Sequence, residues 1–204
     1  VLKDAASASI YGSRASNGVI LVTTKRGAEG KPTVTFNGYV GINTPTTLPE
    51  PTSAIEYMQA VDAARKNAMQ QPLYTDIIEI YKNGGVDQTN YYDTDWKKEV
   101  LKSSALVQNY SVGVSGGSEF LKIYASAGYY TQDGLIDNNK FSRTSLRLNT
   151  DMKVNKWMKL GVDASVRQAN AKSPVLDSPT NIIGKALTMT PIMSGINADG
   201  TYGY

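Results

Sequence analysis

Two side chains that often carry out chemistry in proteins are missing from this sequence. Its 204 residues include no histidine and no cysteine. Without histidine there is no Ser-His-Asp triad and no histidine-ligated zinc, and without cysteine there is neither a disulfide nor a thiolate metal site. The residue types therefore argue against these classes of enzyme, and we expect no cofactor and no metal site.

Carboxylates could still do chemistry, and several lie in a polar stretch over residues 86–95. Asp87, Asp93 and Asp95 could bind calcium, but they lack the Asp-x-Asp-x-Asp-Gly spacing of a calcium loop. Solvated loop carboxylates are the simpler interpretation. A glycosidase would need a carboxylate pair in one cleft, and no spacing here isolates such a pair. We therefore predict no catalytic residue.

Three aromatic residues beside these carboxylates are candidates for ligand binding. Tyr91, Tyr92 and Trp96 could stack on a sugar ring. The alternative, which we favour, is that they pack against the short helices predicted around them. Tyrosine is used heavily, 13 times, which suits a membrane interface as well as a sugar-binding surface.

A glycine-framed motif opens the chain. The small residues from Asp4 to Ile10 predict a short helix, which Gly12 ends. After a polar turn, Gly18 opens an apolar, β-branched run at 19–24, which predicts a buried strand and so a small α/β unit. The spacing from Gly12 to Gly18 is not that of a phosphate loop, because no Gly-Lys-Ser/Thr follows.

The charge of the chain excludes one class of partner. Lys and Arg total 21 and Asp and Glu 18, so the net charge is only +3, and the cations are scattered along the sequence. We therefore expect no nucleic-acid partner. No run of about 18 apolar residues is present, so no transmembrane helix is predicted.

The elements after residue 30 are mainly strands. Side chains alternate between apolar and polar with a period of two, so that Val162 and Asp163, for example, leave opposite faces. The alternating runs predict five strands, near 33–42, 107–115, 120–131, 143–154 and 158–168. Short helices are predicted at 54–69, with a capping box from Ser53 to Glu56, and at 76–82, 96–101 and 180–190. The first two strands are separated by a long insert, 43–106.

Two architectures fit this pattern. A soluble antiparallel sandwich also alternates. However, the strands are about as long as the 9–11 residues that a tilted strand needs to cross a bilayer. Their polar faces carry Arg, Lys and Asp in mid-strand, and short turns alternate with long connections, as in transmembrane barrels.

The opening motif resembles a known family. Leu2-Lys3-Asp4, Ile10-Tyr11-Gly12-Ser13-Arg14-Ala15, Asn17-Gly18-Val19-Ile20 and Thr23-Thr24-Lys25 are similar to the end of the plug domain in TonB-dependent outer-membrane receptors. The Ser-Arg-Ala-Ser-Asn-Gly version resembles the SusC/RagA branch. Trp157 and the final MTPIM…NADGTYGY stretch are also similar to SusC-like chains.

The resemblance implies a fold and a domain organisation. The fold class would be mainly β: the end of a small α/β plug domain, then antiparallel strands of a transmembrane barrel, with short helices in the long loops. Residues 1–27 would be the C-terminal end of the plug, and 28–204 the first part of a barrel of about 22 strands. The plug signature would contribute to the gate. Its residues are Asp4, Tyr11, Gly12, Arg14, Asn17 and Gly18. Arg14 could tie the plug turn to the barrel wall.

The resemblance also implies a function. The receptor would import glycans or peptides across the outer membrane of a Gram-negative bacterium, by ligand binding and plug displacement. Its partners would be the energy-coupling protein TonB, a SusD-like surface lipoprotein, an oligosaccharide or peptide substrate, and outer-membrane lipid. We expect this chain to be a piece of such a receptor. The alternative function is a soluble, β-rich carbohydrate-binding or adhesion module.

Overall fold

A computed structural model describes residues 10–12, 15, 18–83, 91–175, 177–195 and 200–201. Its main element is one five-stranded sheet in which each strand is hydrogen-bonded to the next along the chain. The strands are β1 (Gly30–Asn43), β2 (Ala105–Gly117), β3 (Leu121–Asp133), β4 (Lys140–Lys153) and β5 (Lys159–Lys172). The helices are α1 (Ala54–Asn67), α2 (Thr75–Lys82), α3 (Trp96–Val100) and α4 (Pro179–Thr188).

The predicted fold class, mainly β with antiparallel strands and short helices, is confirmed. Each alternating run overlaps one observed strand, and the strands are 13 or 14 residues long. The centre of β5 lies near residues 165–166. None of the helices in the described ranges is long and apolar enough to cross a membrane.

The strand predicted at 19–24 is wrong. Val19 forms an isolated bridge, and 20–28 has no regular secondary structure. Ile20 and Val22 are 74% and 81% exposed. An apolar, β-branched run becomes a strand only where another backbone pairs with it along its length, and among the described residues of this run only Val19 forms a bridge. The helix predicted from Asp4 to Ile10 lies outside the described residues except for Ile10 itself, which is in a turn.

Local chemistry explains the two tight hairpins. In the β2–β3 turn, the Ser118 amide donates to the Leu121 carbonyl at 2.7 Å. A Cβ at Gly117 would lie 2.3 Å from the same carbonyl oxygen, so only glycine fits there. In the β4–β5 turn, the Asn155 side chain accepts hydrogen bonds from the Trp157 and Met158 amides at 3.0 and 2.8 Å. This is the usual way in which asparagine closes a turn.

The chain divides into two compact units. One contains the described residues of 1–37 together with 110–128 and 144–167, and the other contains those of 38–109, 129–143 and 168–204. The second unit holds a small helical core in which Ala54, Met58 and Ile78 are buried. Partly buried side chains pack around this core. They are Tyr57, Tyr74, Ile77, Tyr81 and Ile192.

Caps and turns fix the helices of this core. The capping box of α1 is present: Ser53 Oγ accepts from the Glu56 amide at 3.3 Å, and Glu56 accepts from the Ser53 amide at 3.0 Å. The Asp62 carboxylate accepts from the Leu73 amide at 2.6 Å and the Tyr74 amide at 3.0 Å, so α1 holds the start of α2. These backbone hydrogen bonds lower the pKa of Asp62.

Met58 should be the residue on which this helical core depends most, because its side chain is completely buried. We expect Met58→Ala to destabilise the core by about 2–5 kcal/mol, since the truncation leaves a cavity. Met69→Ala is the matched control, because Met69 is 98% exposed. Hydrogen exchange of α1 and α2 measures both variants. Equal exchange in the two would contradict the assignment of Met58 to the core.

Candidate functional site

The structure describes part of the plug signature. Asp4, Arg14 and Asn17 lie outside the described residues. Tyr11 is exposed, and the left-handed φ angles of Gly12 and Gly18, 73° and 92°, are those that glycine adopts readily. Ala15 is buried between them; its amide donates to the Gly12 carbonyl, and its own carbonyl accepts from the Gly18 amide. Gly12, Ala15 and Gly18 therefore form a compact turn, and its role in a gate stays a prediction.

The side chains of two candidate stacking residues, Tyr91 and Trp96, have partners inside the helical unit. The Tyr91 ring meets that of Tyr74 edge-on, with centroids 5.9 Å apart, and its carbonyl accepts from the Tyr81 hydroxyl. The Trp96 indole N–H donates to the Thr190 carbonyl at 2.9 Å. The backbone amide of Tyr92 donates to Ile192 at 3.2 Å. All three residues are partly buried, and ligand stacking by Tyr91, Tyr92 and Trp96 stays a prediction.

The nearby carboxylates serve as caps. Asp93 Oδ1 accepts from the Ala54 amide at 2.8 Å, at the start of α1. Asp95 accepts from the Lys98 amide at 3.2 Å and pairs with its ammonium at 3.0 Å, and these contacts lower the pKa of Asp95. Asp87 lies outside the described residues. Among the residues that are described, no group of three or more metal-ligating side chains could hold a metal ion.

The two faces of the sheet differ in chemistry. Apolar side chains of four adjacent strands line one shallow concavity. They include Val112, Val114, Ala127, Leu146, Leu148 and Val166. These side chains are largely uncovered: Leu146 is 53% exposed and Val166 67%. The opposite face carries hydroxyl, amide and charged groups, and the segment from Thr24 to Glu29 is bound to it.

Ion pairs attach this segment to β4 and β5. The Arg26 guanidinium places Nη1 3.2 Å from Asp151 Oδ1 and Nη2 2.6 Å from Asp163 Oδ2. One cation thus bridges two strands. The side chains are roughly half exposed, so each pair is worth about 0–1 kcal/mol. The Arg26 contact therefore fixes the position of the segment on the sheet but adds little to the free energy of folding.

A buried amide makes a stronger attachment. Asn149 is only 2% exposed, and its Nδ2 donates to the Lys25 carbonyl at 2.7 Å and to Thr24 Oγ1 at 3.4 Å. The hydrogen bond to Lys25 is partly buried, and leaving a buried partner unsatisfied costs about 1–3 kcal/mol, which is the upper range for this contact. Asn149 is therefore the side chain that holds the backbone of the segment most firmly.

The rest of the segment contacts β2 and β3. Ala28 donates its amide to Ser115 Oγ at 3.3 Å, and Glu29 pairs with Lys122 at 2.8 Å, which lowers the pKa of Glu29. A Cβ at Gly27 would lie 2.3 Å from the Ile123 nitrogen, so the backbone approaches β3 as closely as only glycine permits. We call this attachment the junction. It comprises 24–29 with Ser115, Lys122, Ile123, Asn149, Asp151 and Asp163.

The sequence only partly predicted the junction. The predicted tie through Arg14 stays a prediction, because Arg14 lies outside the described residues. Arg26, which pairs with Asp151 and Asp163, was not singled out from the sequence. Carboxylates in mid-strand were noted as features of a polar face. Their pairing with a cation more than a hundred residues away has no local signal.

Comparisons with known proteins find relatives that are all described as TonB-dependent receptors. The chain is 30% identical over 208 residues to TonB-dependent receptor P3 of Formosa agariphila, an alignment that covers 99% of the chain and 19% of the receptor. It is 31% identical over 150 residues to TonB-dependent receptor SusC of Bacteroides thetaiotaomicron, covering 73% of the chain and 13% of SusC. No protein-family model matches.

Solved structures agree with these relatives. The RagAB peptide importer in its open-open state matches 99% of the chain with a TM-score of 0.75 and 26% identity. Its closed-closed state matches 98% with a TM-score of 0.72 and 27% identity. In each case the chain covers 25% of the solved chain. The chain spans about a fifth of the length of the first curated relatives that it matches.

Proposed function

The chain belongs to the SusC/RagA-like TonB-dependent receptors, and on this premise we propose that it joins the plug to the barrel wall of an outer-membrane importer. In this proposal, residues 1–27 are the C-terminal end of the plug and 28–204 the first part of the barrel. The observation that carries it is the junction, in which 24–29 is bound across the polar face of the sheet. A plug that fills a barrel must meet its wall on the lumen side.

The opposite face supports the same assignment. Apolar side chains are exposed on every strand, including Phe36 at 69% on β1 and Val166 at 67% on β5. A water-soluble protein rarely exposes so large a continuous apolar surface, whereas a barrel presents it to lipid. Trp157, 82% exposed in the β4–β5 turn, suits the aromatic girdle at the membrane interface. This face is the observation that argues against a soluble adhesion module.

The mechanism that we propose is binding, plug displacement and passage, with no catalytic residue. Ligand capture outside and coupling to TonB inside would move the plug. The junction would keep its C-terminal end on the wall, because Asn149 holds the backbone while Arg26 bridges two strands. The residues before Thr24 would then be the part that moves.

The substrate class and partners are also proposals. The solved relatives are described as a peptide importer and transporter, and a curated relative is SusC. We propose an oligosaccharide or peptide substrate, a SusD-like surface lipoprotein, TonB, and a location in the outer membrane of a Gram-negative bacterium. Deleting the gene should abolish growth on one such substrate, and a plasmid copy should restore it only in cells that have TonB. Restoration without TonB would contradict the proposal.

The long insert should face the outside of the cell. In an antiparallel sheet, alternate connections lie at opposite ends, so the insert after β1 and the β4–β5 turn are at different ends. Short turns of such barrels are periplasmic and long loops extracellular. We expect an impermeant thiol reagent to label Lys66→Cys on intact cells but to leave Lys156→Cys unlabelled. Both residues are exposed. Labelling of Lys156→Cys alone would show the opposite orientation, with the insert on the periplasmic side.

A further inference from the structure

The polar face of the sheet carries a cleft beside the junction. Its volume is about 550 Å³. Its polar lining consists mainly of cations and hydroxyl groups. They are Lys25, Arg147, Arg167, Tyr124, Ser126, Ser145 and Ser165. No carboxylate is among the described residues that line it.

Charges on this face are separated along β4 and β5. On β4, Arg147, Asn149 and Asp151 follow one another on the same face, and on β5 the order is Asp163, Ser165 and Arg167. Arg26 forms ion pairs with the two carboxylates, Asp151 and Asp163, at the junction. Within the described part of the chain, Lys25, Arg147 and Arg167 form no ion pair.

A backbone contact of the junction holds Lys25 beside this cleft, which Arg147 and Arg167 also line. The Lys25 carbonyl is held by Asn149 at 2.7 Å, so Lys25 stays at the edge of the cleft. Like charges that share a cleft repel one another and raise the local concentration of anions. A bound anion would relieve this repulsion. Guanidinium groups fit a planar carboxylate especially well, because they can donate two parallel hydrogen bonds, and the hydroxyl groups supply further donors.

We propose that Lys25, Arg147 and Arg167 form a binding site for a carboxylate group. The site deepens the proposed function, on which it rests for its position in the lumen: it selects ligands that carry carboxylates, such as acidic peptides or acidic sugars. A carboxylate on another segment of the receptor is the second source of the same chemistry. The two sources predict different behaviour of a thiol placed in the cleft.

The test uses the complete receptor in detergent, with Ser165→Cys in the cleft and no other accessible thiol. The probes are two thiosulfonate reagents of similar size, one anionic and one cationic. We expect the ratio of the anionic to the cationic reaction rate at this cysteine to exceed the same ratio on free cysteine by about tenfold or more. Replacing both arginines, by Arg147→Gln and Arg167→Gln, should remove this preference, and citrate should slow the anionic reagent.

A matched control and two further outcomes complete the test. Gly161→Cys lies on the same strand and face, at a position where a side chain fits. Because this position is beside the Asp151 carboxylate, the cysteine should show no preference for the anionic reagent. If a carboxylate of the receptor fills the cleft, both reagents react slowly at Ser165→Cys, and the double glutamine variant reacts faster with both. That outcome supports the site and assigns its carboxylate to the protein. Fast and equal reaction with both reagents, unchanged in the double variant, overturns the proposal while leaving the barrel assignment intact.

Discussion

Replacing Phe36 by arginine is expected to block assembly of the complete receptor in the outer membrane. Phe36 lies near the middle of β1 on the apolar face and is 69% exposed. Arginine on the lipid face near the midplane of a barrel costs about 2–4 kcal/mol, whereas substitutions on the lumen face mainly change selectivity. Because Phe36 is not buried by the described residues, the loss cannot come from a disrupted protein core. The amount of receptor folded in outer membranes is the measurement.

The neighbouring residue provides the control for this prediction. Asn37 is also exposed, and its side chain leaves the opposite face of the same strand. We expect Asn37→Arg to assemble at close to the normal amount. If the two variants assemble equally well, or if Asn37→Arg is the worse of the two, the assignment of the apolar face to lipid is wrong.

Replacing Asn149 by leucine should release the segment at 24–29 from the sheet. Leucine has a similar size but no donor, so the Lys25 carbonyl would lose its hydrogen bond in a partly buried place. The expected loss of about 1–3 kcal/mol corresponds to exchange of the 24–29 amides that is roughly 5- to 150-fold faster. Hydrogen exchange of the complete receptor measures this directly. Arg26→Gln should have a smaller effect, because its ion pairs are half exposed.

The control for Asn149→Leu is the same substitution at an exposed asparagine on β1. Asn37→Leu alters an exposed amide and should leave exchange at 24–29 unchanged. Exchange in the Asn149→Leu receptor that equals that of the unchanged receptor would show that Asn149 does not hold the junction. A rise confined to β4, with 24–29 unchanged, would lead to the same conclusion.

Local patterns in the sequence predicted most of the sheet and the helices. The alternation in each run reflects one apolar and one polar face, so it locates β1 to β5 without any long-range information. The capping box at Ser53 and Glu56 is equally local, because both partners lie within one helical turn. The ends of the strands were less well predicted. Residues next to a hairpin turn, such as Gly117, pair with the neighbouring strand without following the alternation of apolar and polar side chains.

The junction could not be predicted in the same way. Arg26 meets Asp151 and Asp163 across 125 and 137 positions, and nothing near Arg26 in the sequence marks these partners. The strand predicted at 19–24 failed for a related reason. Its residues show that the run is apolar, but pairing depends on a neighbouring backbone that the pattern cannot reveal. Local periodicity therefore predicts elements, and only the structure shows which of them meet.

We propose that this sheet crosses a membrane with one face in lipid, and spin labels at the centre of β5 test this proposal most directly. Val166, 67% exposed, lies on the apolar face, and the side chain of its neighbour Ser165 leaves the opposite, polar face. In the complete receptor reconstituted in bilayers, a label at 166 should be relaxed by oxygen dissolved in lipid and one at 165 by a water-soluble paramagnetic reagent. If both labels respond mainly to the water-soluble reagent, β5 does not cross the membrane and the proposal is wrong.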